Sequence, residues 1–167
     1  MQRPYVIIYF TESIDGRIAS RTGYSKLSCP YDLKRLHSVR AQVDAVIVGA
    51  NTARLDNPKL TVRLVEGKNP MRVVISASGD LSLGLNLFEV PPRTVVYTTS
   101  MPMDVERSLK DKGVDVVRTG EISACKIVED LGQRFSVRRV LVEGGGKTLW
   151  TFVKEGCFDE LRVTISP

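Results

Sequence analysis

Residues Val140-Leu-Val-Glu-Gly-Gly-Gly-Lys-Thr-Leu-Trp150 decide how this chain is read. Val140 to Val142 is a short apolar run of the kind that forms a buried strand. Glu143 and three consecutive glycines follow, and Lys147-Thr148 opens a helical pattern that closes at Gly156. A strand that runs through glycines into a helix builds an anion site. The glycines let backbone approach a ligand closely, and the helix N-terminus presents unpaired N–H groups at the positive end of its dipole. A phosphate or pyrophosphate is the expected ligand at Gly144, Gly145, Gly146, Lys147 and Thr148. Neither standard fingerprint is present. The first glycine of a P-loop falls at Leu141, and the last glycine of G-x-G-x-x-G falls at Leu149. A plain strand-to-helix turn is the competing reading, but one glycine serves that purpose.

The same alternation recurs along the chain. Strands are expected at Pro4–Phe10, Val43–Gly49, Met71–Ser76, Thr94–Thr98, Val114–Arg118, Val137–Val142 and Asp159–Pro167. Helices are expected from Pro30 to about Gln42, after Asn51 and Thr52 as caps, over Asp104–Lys112, from Ser123 to about Arg134, and over Lys147–Glu155. Ala77 to Asn86 reads as a loop. Alternating strands and helices give an α/β domain with a mostly parallel central sheet and helices on both faces. Ligands of such sheets sit outside the carboxyl ends of the strands. The loops Thr11–Gly16, Gly49–Asp56, Ser76–Gly79 and Glu143–Thr148 therefore converge on one rim.

One residue breaks its pattern. Leu33, Leu36 and Val43 mark the apolar face of the first helix, and Arg40 falls on that stripe. A buried guanidinium must find an anion. Asp44 or another protein carboxylate suits it, and so does a ligand phosphate. Asp15-Gly16 reads as a turn, and nothing local assigns Arg63.

The bulk composition narrows the class. The chain has 167 residues and a net charge of +5, enough for one domain with a sizeable core. The charge favours small anionic ligands, and no basic run marks a nucleic-acid track. Cys29, Cys125 and Cys157 are odd in number and widely spaced, which argues against a disulfide framework. With His37 the sole histidine, a metal site is not expected. No signal peptide and no membrane-spanning run is apparent, so the cytoplasm is the expected compartment.

Several stretches, in order and suitably spaced, together resemble a known family: Ser13-x-Asp15-Gly16-x-Ile-Ala, Arg40-Ala, Val48-Gly-x-x-Thr52-x-x-x-Asp56-x-Pro58-x-Leu60-Thr-Val, Asn69-Pro70-x-Arg72-Val-Val and Leu141-x-Glu143-Gly-Gly-Gly. The chain is similar over essentially its whole length to the riboflavin-pathway reductases, and most to their archaeal single-domain form. The resemblance implies a dihydrofolate-reductase-like fold and a homodimer. It implies reduction, with NADPH (or NADH), of the ribosylamino group of a pyrimidinone 5′-phosphate to ribitylamino. It places Thr11, Thr52, Asp56, Ser76, Ser78 and the Gly144–Thr148 loop at the cofactor, and Ser25, Arg40, Leu60, Arg63 and Glu143 at the substrate. Asp15, Glu143 or water stand as the proton source. Ser76-Ala77 replaces the family's Asp-Ser, and Asn57 an acidic residue. The family continues past the equivalent of Pro167, so a single domain lacking the C-terminal strands is expected. A related enzyme for another substrate, or a nucleotide-binding module without catalysis, are the alternatives.

Overall fold

The computed structural model describes residues 2–89 and 91–166; Pro167, the end of the expected final strand, lies outside them. Seven strands form one sheet: β1 (Tyr5–Ser13), β2 (Ala45–Gly49), β3 (Met71–Ile75), β4 (Thr94–Thr98), β5 (Asp115–Arg118), β6 (Arg139–Gly144) and β7 (Glu160–Ser166). Their order is β5-β4-β3-β2-β6-β1-β7, and every pairing is parallel. Among the described residues there are six helices: α1 (Pro30–Arg40), α2 (Ala50–Asp56), α3 (Asn86–Glu89), α4 (Met103–Asp111), α5 (Ala124–Phe135) and α6 (Gly146–Lys154).

The central strands are buried because both faces are covered, whereas edge strand β7 has no buried residue. β2 and β4 are buried at every position, as near-continuous Val/Ile runs require in a parallel sheet. One core joins Val6, Ile8, Ile47 and Val95 to Ile127, Leu131 and Phe152 of α5 and α6. The other joins Ile7, Val46, Val74 and Val96 to Val39, Ala53, Leu87 and Leu109 of α1 to α4. Each fully buried aliphatic side chain contributes about 1.5–3 kcal/mol of transfer free energy. Arg72, with no exposed surface, donates to Thr94 Oγ1 and the Pro91 carbonyl, tying β3 to the turn before β4.

Five expectations need correction. β1 runs on to Ser13, because β7 pairs with it from Ile7 to Ser13. The buried side of α1 carries Asp32, His37, Val39 and Arg40, while Leu33 is 39% exposed. Polar side chains take the inward positions because each finds a partner there. The N-cap of α2 is Gly49, with no side-chain cap, so Asn51 and Thr52 lie in its first turn. The expected loop Ala77–Asn86 leads into α3, whose Leu87 and Phe88 are buried together with Leu81 and Leu85. Cys125 and Cys157 form a disulfide with Cα atoms 5.4 Å apart. The start of α5 and the end of α6 lie side by side, which a separation of 32 residues does not reveal.

Candidate active site

In strand order β2 separates β3 from β6, and all three end at the same rim. A cavity of about 790 Å³ opens there, lined from β2–α2, from the residues after β3 and from β6–α6. Backbone crowding shapes its floor. A Cβ on Gly145 would lie 2.8 Å from Thr52 Oγ1, and one on Gly49 would collide with Thr148 Oγ1. Gly144 adopts φ +141°, open to glycine and strained for other residues. The N-cap of α6 is Gly145, with no side-chain cap, so the first N–H groups of that helix are left for a ligand. Ser76 Oγ is a buried side-chain polar atom without a partner, the one such atom among the described residues. A hydroxyl desolvated in this way costs about 1–3 kcal/mol until something bonds to it.

Of the residues expected at a cofactor, Thr52, Asp56, Ser76, Ser78, Gly145, Gly146, Lys147 and Thr148 all line this cavity, as does Ser25. Thr11 and Gly144 do not. Arg54 and Lys147 bring positive charge to its wall, and Ile18, Leu55, Ile75 and Ile122 bring apolar surface.

Arg40, Arg63 and Glu143 form a second group. Glu143 is the residue before the glycine run, at the end of β6. Its two oxygens accept from Arg40 Nε at 2.5 Å and Nη2 at 2.7 Å. Both side chains are about nine-tenths buried. The arginine on the helix stripe is thus met by a protein carboxylate other than Asp44. Arg40 Nη1 also donates to the Thr61 carbonyl, and Arg63 Nη1 to Thr61 Oγ1. Leu60 is buried with φ +53°, a left-handed conformation that a bulky residue keeps only when its surroundings impose it.

Asp15 stands apart. It is exposed, accepts from Ser13 Oγ and pairs with Arg17 at 3.0 Å. The Ser13 hydroxyl, with help from Arg17, holds its carboxyl below the usual range. Thr11 faces α1, donating to Asp32 Oδ2 at 2.7 Å with Ser28 Oγ at 2.8 Å. Asp32 also accepts from Tyr9 and Thr164 hydroxyls, each at 2.6 Å. Burial pushes its carboxyl up, but the hydroxyls of Thr164, Tyr9, Ser28 and Thr11 outweigh this and hold it below the usual range. It is an ionised acceptor caged by hydroxyls.

A family model described as the RibD C-terminal domain matches residues 4–167. The chain belongs to that family. Among its relatives is the Aquifex aeolicus 2,5-diamino-6-ribosylamino-4(3H)-pyrimidinone 5′-phosphate reductase. That protein is 34% identical over all of this chain and 78% of its own length. The Methanothermobacter thermautotrophicus protein of the same name is 34% identical over 99% of this chain and 78% of its own length. The solved structure of Acinetobacter baumannii RibD superposes with a TM-score of 0.88 at 27% identity. The match covers 99% of this chain and 46% of that one, so this chain spans less than half of the RibD protein. The fold is dihydrofolate-reductase-like, as the sequence resemblance implied. Asp32 and His37, the buried polar residues of α1 beside Arg40, escaped the sequence reading. The one available signal was that Asp32, Leu36, Val39, Arg40 and Val43 also make a helical stripe.

Proposed function

We propose that this chain is an NADPH-dependent reductase of riboflavin synthesis. In this reading it converts the ribosylamino side chain of 2,5-diamino-6-ribosylamino-4(3H)-pyrimidinone 5′-phosphate to ribitylamino. The observation that carries the reading is the continuity of β6. Glu143, paired with Arg40, is separated only by Gly144 from Gly145 and Gly146, which line the large cavity. One strand end thus sets a dinucleotide cradle beside a buried polar cluster.

The cavity residues fit a nicotinamide dinucleotide. Gly49 and Gly145 let the Thr148 and Thr52 hydroxyls pack against the backbone of the cavity floor, and the buried Ser76 hydroxyl is without a partner there. Lys147 and Arg54 supply charge for phosphate, and the apolar wall suits flat rings. NADPH bound there supplies a hydride, whose acceptor in this reading is C1′ of the ring-opened sugar imine. The chain's task is to align and to exclude water. Arg63, exposed beside Thr61, is the candidate for the substrate phosphate. Arg40 holds Glu143 oriented through two hydrogen bonds, and in this reading Glu143 accepts from amino or ribityl hydroxyl groups of the substrate. Asp15, Glu143 or water supplies the proton of the reduction in this reading. A homodimer in the cytoplasm belongs to the same reading. The test is NADPH oxidation, followed by near-ultraviolet absorbance, with the ribosylamino substrate. Substrate-dependent turnover is expected; NADPH binding without turnover would leave a binding module instead.

A further inference from the structure

We propose that His37 is a positioning residue, clamping the segment Thr61–Leu64 so that Arg63 meets the substrate phosphate. This rests on the reductase reading above. His37 lies on α1, one turn before Arg40, and is 3% exposed. Its Nδ1 accepts the backbone N–H of Arg63 at 2.9 Å and, more weakly, that of Leu64 at 3.4 Å. Accepting at Nδ1 puts the ring proton on Nε2, so the 3.4 Å approach of Arg40 Nη1 to Nε2 is a contact between two donors and the His37 bonds to the loop run through Nδ1 alone.

The segment has no ladder of its own. It lies outside regular structure and is buried at Thr61, directly after the buried Leu60. Its backbone groups are taken one by one from elsewhere: the Thr61 carbonyl by Arg40, the Val62 N–H by Asn69 Oδ1, and the Arg63 and Leu64 N–H groups by His37. The left-handed Leu60 just before it needs such restraint. Two residues of one helix turn, His37 and Arg40, therefore set the path of the loop bearing Arg63 while Arg40 also holds Glu143. Neutrality is part of the device, since a protonated ring has no acceptor at Nδ1. Burial, then Arg40 and then Arg63, oppose protonation, and Glu143 favours it, leaving the pKa at about 4.

The experiment compares His37→Leu, which removes the acceptor, with His37→Asn, whose Oδ1 can replace Nδ1. Steady-state kinetics with the 5′-phosphorylated substrate are expected to show KM raised about tenfold in H37L, the scale of one lost ordering hydrogen bond. In that variant kcat and NADPH affinity stay within about twofold of the parent. H37N is expected to restore most of KM, and the H37L penalty is expected to vanish in an Arg63→Ala background. Hydrogen exchange at the Arg63 amide, slow in the parent and H37N and fast in H37L, reads the clamp without turnover. Unchanged KM in H37L, failure of H37N to rescue, a penalty that persists without Arg63, or an Arg63 amide equally protected in H37L would each overturn the proposal. A parent chain that binds NADPH but leaves the substrate unreduced refutes the reductase reading instead, and the exchange measurement still judges the clamp.

Discussion

The Arg40–Glu143 pair allows stability and function to be separated by one set of variants. The two side chains are 9% and 10% exposed and joined through two charge-assisted hydrogen bonds. Glu143→Leu leaves a guanidinium buried without an anion, and Arg40→Met leaves a carboxylate buried without a cation. Breaking such a pair from one side costs about 3–5 kcal/mol, a large part of the roughly 5–15 kcal/mol that holds a domain together. The double variant R40M/E143L removes both charges and fills their volume with apolar atoms. Its remaining loss is the hydrogen bond from Arg40 to the Thr61 carbonyl, about 1 kcal/mol. Removal of the desolvation cost of two ions offsets this. The double variant is therefore expected within about 1–2 kcal/mol of the parent, while each single variant falls well below it. Urea unfolding followed by circular dichroism measures all four proteins. The same samples, assayed for NADPH oxidation with the ribosylamino substrate, are expected to show no turnover in R40M/E143L despite its recovered stability. Additive losses in the double variant would refute the account of the pair as mutually compensating charges. Undiminished turnover would remove both residues from substrate recognition.

The buried imidazole predicts an acid-sensitive term. His37 titrates at about 4 in the folded chain against an ordinary 6.5, so the unfolded chain takes up the proton first. Its contribution is complete above about pH 6.5 and is lost as the pH falls from there towards 4. Between pH 7.5 and 5.0 the parent should lose about 2 kcal/mol more than H37N in urea unfolding. An equal loss in the two proteins would contradict this assignment to His37. Ser76→Ala should move two readouts in opposite directions. Without ligand the change removes an unpartnered buried hydroxyl, so thermal stability should hold or rise, while NADPH affinity in a fluorescence titration should fall about fivefold. A clear destabilisation would show that the hydroxyl already has a partner. In Gly49→Ala the new methyl meets Thr148 Oγ1 on the packed start of α6. NADPH affinity measured by the same titration should drop by about tenfold or more, the scale of 1–3 kcal/mol of local overpacking; unchanged affinity would place the pyrophosphate elsewhere.

The features legible in the sequence were those written in neighbouring residues. Val140 to Thr148 shows its strand, glycines and helix start within one window, and the rim followed because every crossover in a parallel sheet returns loops to the same edge. Arg40 is legible as an anomaly, because a charge on an apolar stripe demands a partner, but the sequence does not decide between a carboxylate and a phosphate. Glu143 lies 103 residues away, on a strand that reaches α1 only once the sheet is ordered. The same distance hid Asp32, whose hydroxyl cage draws on Tyr9 of β1 and on Thr164, 132 residues away. A carboxylate in a helix's first turn reads as an ordinary exposed residue until those hydroxyls are placed. His37 was hidden for a different reason: its partners are backbone N–H groups, and the side chains of Arg63 and Leu64 carry no trace of that bond. α3 was missed because Ser and Gly punctuate the leucines that bury it. These omissions share a cause with the chemistry proposed here. The polar group proposed to bind the substrate is assembled from α1, the segment at 61–64 and the end of β6, none adjacent in sequence. Its polar atoms are bought into place by long-range pairings rather than local pattern. That places its vulnerability in residues such as His37, whose loss should disturb the binding geometry more than the core.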